Sequence, residues 1–339
     1  MLSRLFTFLK EWKLPVAMII GVIMYFIIEA LPLDATTTDS LYYGTSHWLQ
    51  PCLIFSMLFL AFLRVGLHEL RPHRWHGMLL LCQGLMMTAC ALVAAAPWLS
   101  PTAKILMEGA MLCFICPTAT AAAVIVQKLG GSLSGCASYL ILCNLLVSVL
   151  APPLLTMVEP QVAVSHISSS LVPSSLGGGM LGVVFMIMGK VFPLLLCPLF
   201  AALLVRHYAP GLTRRLLRSR DLAFYMWLVA LALAITVTVR TIVDSNINIY
   251  VLLGLACVSL ACCAVQFAWG RRIGSRYGLH PEDCLTAGQA MGQKNTVFII
   301  WLGLMFLNPV TSVVGGVYSV WHNAVNSWQL YRHDKEQGL

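Results

Sequence analysis

The stretch "GQAMGQKNTVFIIW" (residues 288–301) places a lysine, Lys294, in a run whose surroundings have the composition of a membrane-spanning helix. Its neighbours Gln293, Asn295 and Thr296 are polar as well. A lysine at the centre of a membrane helix costs about 2.5–3.5 kcal/mol on insertion scales. Because a leucine there would carry no such cost, the lysine indicates a functional role.

The composition around this stretch predicts an all-α polytopic membrane protein. Of the 339 residues 59% are hydrophobic and 10% are charged, and the mean hydropathy is +0.83. Soluble domains have about 25% charged residues. The formal net charge of +8 fits membrane topology, so we expect the lipid bilayer as the surroundings and no nucleic acid as a partner. The twelve cysteines lie mostly in apolar stretches, which is typical of packing residues.

Apolar runs of the length that crosses a bilayer, about 20 residues, predict ten spans. The first run is long enough to remain as a span, so we expect no cleavable signal peptide. The ten predicted spans cover residues 14–32, 48–67, 75–97, 104–127, 132–157, 180–206, 222–242, 247–269, 285–306 and 309–330.

The distribution of basic residues supports ten spans with both termini in the cytoplasm. With that orientation the outer side receives only Lys104 and Arg240, while Lys190 and Lys294 lie within spans. Every other one of the 21 Lys and Arg residues falls on the inner side, as the positive-inside rule requires. We therefore predict a multi-pass protein of the plasma membrane, with a bacterial inner membrane as the expected location.

Ten spans divide into two repeats of five, residues 1–157 and 158–339, and an odd number of spans inverts the second repeat relative to the first. Many secondary transporters are built from inverted repeats, and their binding sites lie where spans at corresponding positions of the two repeats are interrupted. Pro117 interrupts the fourth span, and Gly288 and Gly292 precede the polar cluster of the ninth. Since these are the fourth spans of their repeats, we predict two broken helices whose half-helix ends meet near the midplane.

Pro117 has no N–H to donate and clashes with the carbonyl four residues earlier, so it predicts a helix break. Such a break exposes the N–H groups of Thr118, Ala119 and Thr120 at the positive end of a half-helix, which favours an anion. In the ninth span the corresponding residues are Asn295 and Thr296.

Simpler interpretations of the same residues stay open at this point. Pro117 could make only a kink, and the threonine hydroxyls could bond within their own helix. The two glycines could serve helix packing. Lys294 could extend its ammonium group to a membrane interface.

Four motifs, taken in order, resemble the bile acid:sodium symporter family over most of the chain. The Gly-Leu pair, basic loop and buried glutamine of residues 65–87 resemble the family's second and third helices. Residues 116–131, "CPTATAAAVIVQKLGG", are similar to its crossover, and residues 189–208 to the opening of its sixth helix. Residues 292–306, "GQKNTVFIIWLGLMF", are similar to its Gly-x-Gln-Asn signature.

This resemblance implies ten helices in two inverted repeats, with helices four and nine unwound and crossing, and transport of an organic anion with sodium. The chain departs from the family at the sodium site, and its Lys294 stands where the signature has glutamine. Gln83, Thr120 and Asn295 are retained. The positions of the family's sodium-ligating side chains fall on Ala122, Ala123, Cys136, Leu140 and Ala290.

Sodium prefers hard oxygen ligands, which alanine, cysteine and leucine side chains do not offer. We therefore predict a secondary transporter of a small organic anion, bile-acid-like or another carboxylate, that works without sodium and in which Lys294 stands in for the coupling ion. A lysine in apolar surroundings releases its proton more easily, so the transporter is either proton-linked or a facilitator. The predicted site comprises Gln83, Thr118, Thr120, Gln293, Lys294, Asn295 and Thr296, with breaks at Pro117 and Gly292.

Two other functions stay open. One is a conventional sodium:organic anion symporter, and the other is a membrane-embedded ligand sensor without net transport. An enzyme is not expected, because no nucleophile–base pair or metal set occurs at a matched depth, and no motif indicates a cofactor. In "HELRPHRWH" (residues 68–76) the first two histidines are five apart and Pro72 intervenes, so we predict a loop there and no metal site.

Overall fold

The computed structural model describes residues 13–64, 70, 72–159, 180–218, 222–245 and 247–337. Across these ranges the regular structure is helical, apart from one isolated β-bridge. Parts of several predictions lie outside the described residues. They are the end of the second span with the start of the motif at 65–87 and of the loop at 68–76, and the basic residues Arg4, Lys10, Arg71 and Arg220.

Seven helices lie in the first predicted repeat, and a π-helical segment, Thr45–Leu49, joins the second to the third. They are α1 (Lys13–Ala30), α2 (Ala35–Gly44), α3 (Gln50–Arg64), α4 (Arg74–Ala94), α5 (Pro101–Ile115), α6 (Ala121–Lys128) and α7 (Leu133–Val158).

Seven further helices lie in the second predicted repeat, where a 3₁₀ turn, Pro309–Ser312, precedes the last. They are α8 (Met180–Tyr208), α9 (Pro210–Arg218), α10 (Leu222–Asp244), α11 (Ile249–Tyr277), α12 (Glu282–Gly292), α13 (Thr296–Phe306) and α14 (Val313–Gln337).

Six helical segments among the described residues are long and apolar enough to cross a membrane. Two shorter apolar helices, Val16–Ala30 and Thr296–Phe306, accompany them. Large apolar side chains such as Phe26, Leu181 and Phe200 are exposed on the outside of the protein, as lipid-facing side chains are. The prediction of an all-α membrane protein is confirmed. The six segments are Ala35–Arg64, Arg74–Ala94, Leu133–Val158, Met180–Tyr208, Tyr225–Asp244 and Ile249–Tyr277.

Polar side chains at the helix ends explain where several helices begin. Ser100 accepts a hydrogen bond from the Ala103 N–H at the start of α5, and Ser132 accepts one from the Gly135 N–H at the start of α7. The side chain of Asn295 caps α13 in the same way. Each cap satisfies a backbone donor that the first turn of a helix leaves free.

The helices pack in two groups. In one group α1 packs on α10 and α3 packs on α8. In the other, α4 to α7 and α11 to α14 pack together, and one continuous apolar core extends through both groups. The groups meet where α8 contacts α7 and where α10 and α3 contact α13.

Glycines bring α11 and α12 into close contact. A Cβ atom at Gly270 would lie 2.5 Å from the Ala287 oxygen, and one at Gly274 would lie 2.4 Å from the Asp283 oxygen. Both neighbours are backbone atoms of α12, which cannot move aside as a flexible side chain can. Small residues therefore set the distance between these two helices, as they commonly do in membranes.

We expect Gly270→Ala to lower the melting temperature of the detergent-purified protein. The added methyl group meets backbone, and overpacking of this kind costs about 1–3 kcal/mol. Gly189→Ala on α8 is the matched control, because a Cβ atom there meets nothing within 4 Å. Equal melting temperatures for the two variants would contradict the close packing.

Candidate functional site

Two helices are interrupted at the centre of the second group. The first interruption lies between Ile115 at the end of α5 and Ala121 at the start of α6. The second lies between Gly292 at the end of α12 and Thr296 at the start of α13. These are the interruptions that the sequence places in the predicted fourth and ninth spans.

The two interrupted segments pair with each other. Thr118 and Lys294 face each other in an antiparallel β-bridge. The bridge satisfies backbone groups that a broken helix leaves free, and this matters because water is scarce at membrane depth. Its two hydrogen bonds run from the Ala119 N–H to the Gln293 oxygen, 2.8 Å, and from the Asn295 N–H to the Pro117 oxygen, 3.0 Å.

Side chains hold the bridge from both directions. The Thr118 hydroxyl donates to the Ala290 oxygen at 2.6 Å, so it bonds across to the other helix and not within its own. The Cys116 thiol donates to the Asn295 oxygen at 2.9 Å. The Asn295 side chain accepts from the Phe298 N–H at 3.3 Å, which starts α13.

Gln83 on α4 satisfies the end of α5. Its amide nitrogen donates to the Phe114 oxygen at 2.9 Å and to the Cys116 oxygen at 3.2 Å. Its amide oxygen accepts from the Tyr139 hydroxyl at 2.9 Å and from the Cys143 thiol at 3.3 Å. This glutamine was predicted to be part of the site, and its role here is to bind backbone carbonyls.

Sequence reasoning missed a second glutamine–tyrosine pair. Gln266 on α11 donates to the Tyr318 hydroxyl at 3.1 Å and to the Cys113 oxygen at 3.3 Å. The Tyr318 hydroxyl donates to the Gly292 oxygen at 2.8 Å, which satisfies the end of α12. The signal that could have found this pair is a lone glutamine in the third predicted span of each predicted repeat, Gln83 and Gln266.

Lys294 is wholly buried, with 0% of its surface exposed. Its Nζ atom has no hydrogen-bond partner among the described residues. Within the described ranges, the ionisable groups that interact with it electrostatically are the thiols of Cys143, Cys116 and Cys113, and none of these groups is a carboxylate. The side chain therefore does not extend to a membrane interface.

Four more predicted residues lie around the same bridge. Gln293 and Thr296 are buried, and the Gln293 Oε1 and Thr296 Oγ1 atoms have no partner among the described residues. Thr120 is half-buried and does not cap α6. The N–H of Ala119, which was expected to be open to an anion, is already bonded to Gln293, so that part of the prediction is wrong.

The residues that the resemblance aligns with the symporter family's sodium ligands also lie in apolar surroundings. Ala122, Cys136, Leu140 and Ala290 are buried in the apolar core, and Ala123 packs against it. The Ala290 oxygen already accepts the Thr118 hydroxyl. The described residues thus offer no set of oxygen side chains to a cation at these positions.

A cavity of about 340 Å³ lies apart from Lys294, between α2, α10 and the end of α13. Leu304 and Pro309 line one wall of it. Arg240 also lines it and forms ion pairs with Asp39 and Asp244. The guanidinium carbon of Arg240 lies 4.1 Å from the centre of the Tyr42 ring.

Buried polar side chains also occur on α5 and on α14. Glu108 on α5 is buried and accepts from the Thr311 hydroxyl at 2.7 Å. On α14 the ring nitrogens of His322 and the amide of Asn326 are buried without partners among the described residues. Asn323 bonds to Ser319 in its own helix, at 2.6 Å.

The chain matches no model of a known protein family, and no curated protein matches it. The resemblance of the four motifs to the symporter family therefore stays a prediction.

We expect Thr118→Val to destabilise the protein by about 1–3 kcal/mol, because the isosteric valine leaves the buried Ala290 oxygen without its donor. Thr238→Val is the matched control, since the Thr238 hydroxyl is also buried but bonds only to Ala234 in its own helix. Unfolding by SDS would measure both free energies. A loss no larger for Thr118→Val than for the control would show that the contact between the two breaks contributes little.

Proposed function

We propose that this protein is a sodium-independent secondary transporter of a small organic anion, in which Lys294 replaces a coupling cation. The observation that carries the proposal is the buried ammonium group of Lys294, which lies at two paired helix breaks and has no hydrogen-bond partner in the described part of the chain. Intramembrane charges are rare, and they mark substrate and ion pathways.

The proposed architecture is ten spans in two inverted repeats. Each predicted span overlaps a helix, and α5 with α6 and α12 with α13 serve as the interrupted fourth and ninth spans. Six of the segments satisfy the length and hydropathy of a span on their own. Half-helices that meet near the midplane are a common plan of secondary transporters.

Packing supports the repeats, because neighbours recur in the same order. In the first repeat α4 packs on α5 and on α7, and α6 packs on α7. In the second, α11 packs on α12 and on α14, and α13 packs on α14. In the proposed repeats α1 corresponds to α8, and α3 corresponds to α10. The contact of α1 with α10 is therefore the counterpart of the contact of α8 with α3.

Hydrogen bonds support the repeats as well. Gln83 and Tyr139 lie on the third and fifth spans of the first repeat, and Gln266 and Tyr318 lie on the third and fifth spans of the second. In each repeat the glutamine and the tyrosine bond to each other, and one of them donates to the last carbonyls of the half-helix.

The charge of Lys294 favours an anionic substrate. A buried charge without a partner is costly, and an opposite charge brought into contact with it recovers part of that cost. The thiols that interact with the ammonium group are weak hydrogen-bond acceptors, so a carboxylate would be a stronger partner for it. A carboxylate that reached Lys294 would also approach the free polar atoms of Gln293 and Thr296.

The positive charge of Lys294 disfavours the binding of a sodium ion at the same site. A second cation beside Lys294 would be repelled, and the aligned side chains supply no oxygen ligands. Loss of a proton from Lys294 would release the substrate, so proton coupling and facilitated transport are both compatible with the site.

Access to Lys294 requires movement, because the residue is enclosed in this structure. The cavity beside Arg240 lies between the group of α1, α3, α8 and α10 and the group that holds the breaks. We assign it as the outer approach to the site. Motion of one group against the other is the usual route of alternating access.

We further propose that the chain is a divergent member of the bile acid:sodium symporter family, in a bacterial plasma membrane with cytoplasmic termini. The order of the four motifs and the paired breaks support this assignment.

Sodium should not stabilise the wild-type protein. We would measure the melting temperature in detergent as sodium replaces choline at constant ionic strength, and we expect no change. A ligand bound only by the folded state stabilises it by about 2.7 kcal/mol at a hundredfold excess over Kd. The double variant Lys294→Gln with Ala290→Glu should gain a sodium response. A sodium-specific rise in the wild type would favour an ordinary sodium symporter.

Lys294→Met should raise the melting temperature of the ligand-free protein and abolish its stabilisation by organic anions. Replacing an unpartnered buried charge by an apolar side chain of similar size commonly stabilises a fold. The probes would be taurocholate and pyruvate, followed by uptake of whichever one binds into liposomes. Lys190→Met on the partly exposed face of α8 is the control and should retain the response. Undiminished uptake by Lys294→Met would refute the central role of Lys294, and binding without uptake by the wild type would favour a sensor.

A further inference from the structure

We propose that α9 and the end of α8 form a binding site for the phosphate headgroup of an anionic phospholipid. This inference is independent of the transport function. It rests on the sequence of α9, "PGLTRRLLR" (Pro210–Arg218), and on the way this helix packs.

The apolar and basic side chains of α9 lie on opposite faces. At 100° per residue the three arginines, Arg214, Arg215 and Arg218, share one side of the helix. All three are exposed. Leu216 and Leu217 lie on the other side, are partly buried and pack against the apolar core. This distribution is typical of helices that lie in the plane of a membrane interface.

The position of α9 is fixed by the end of α8. Thr213 is buried, and its hydroxyl lies 3.3 Å from both the Val205 oxygen and the Ala209 oxygen. The helix also packs on α8 and α3. Its arginines are therefore held at the end of two membrane-spanning helices.

The positive charge of this surface is not balanced within the described part of the chain. None of the three arginines of α9 forms an ion pair with a described residue. On the last turn of α8, the Nη1 atom of Arg206 is covered and has no hydrogen-bond partner among the described residues. A guanidinium group in this state favours a phosphate oxygen, which it binds with two donors.

Neighbouring apolar side chains indicate a lipid and not a free phosphate. Leu204, Tyr208 and Leu212 are exposed beside the arginines, where acyl chains would cover them. The helix that carries the arginines packs on two helices long and apolar enough to cross a membrane. We infer that the arginines lie at the headgroups, where clusters of basic residues bind anionic lipids. The occupant that satisfies both observations is a phospholipid with net negative charge.

The test compares lipids on the intact, detergent-purified protein. Phosphatidylglycerol should raise the melting temperature more than phosphatidylcholine does, and high salt should reduce the difference, because exposed charges are screened. In the triple variant R214Q/R215Q/R218Q the two lipids should become equivalent. These side chains are exposed, so the variant should fold, and its elution as a single species in size-exclusion chromatography would verify this.

The control removes the same charge elsewhere. R271Q/R272Q/R276Q takes three exposed arginines from the last turns of α11 and should keep the preference for phosphatidylglycerol. An equal loss in both triple variants would overturn the proposal, because it would indicate a general charge effect. Equal stabilisation of the wild type by the two lipids, or by inorganic phosphate alone, would overturn it too.

Discussion

The fold depends on two hydrogen bonds between broken backbone segments. The Pro117 oxygen accepts from Asn295, and the Gln293 oxygen accepts from Ala119. A helix that stops inside a membrane leaves donors and acceptors that lipid cannot satisfy, and here each break satisfies the other. The Phe114 and Cys116 oxygens accept from Gln83, and the Gly292 oxygen accepts from Tyr318. The interruption is thereby made compatible with a dry interior.

Much of this could be predicted from the sequence, because it follows from local covalent properties. Pro117 predicts a break wherever it occurs in a helix, and the apolar runs predict the helices that contain it. The partners of the freed groups could not be predicted in this way. Gln266 and Tyr318 are distant from the breaks along the chain, and only the fold brings them to Cys113 and Gly292. For the same reason the sequence did not predict that the Ala119 N–H donates to the Gln293 oxygen.

For Lys294 the sequence predicts the charge, and only the structure shows what surrounds it. The sequence alone predicts a costly charge at membrane depth. The structure adds that the residue is wholly buried and that its ammonium group has no hydrogen-bond partner among the described residues. Natural proteins keep such unfavourable groups where activity requires them, at some expense in stability. The hydrogen bonds of Gln83 and Thr118 are consistent with a rigid frame around Lys294 and the neighbouring polar atoms of Gln293 and Thr296, which have no partner among the described residues.

The pairing of the breaks also has a consequence for biogenesis. Residues 117 and 119 bond to residues 295 and 293, which are synthesised much later. Until that part of the chain has entered the membrane, the first break has no backbone partner. The N-terminal half must therefore wait in an incomplete state, shielded by lipid headgroups, water or the insertion machinery. Its final structure forms only when the second half arrives, so the two halves of the chain mature as one cooperative unit.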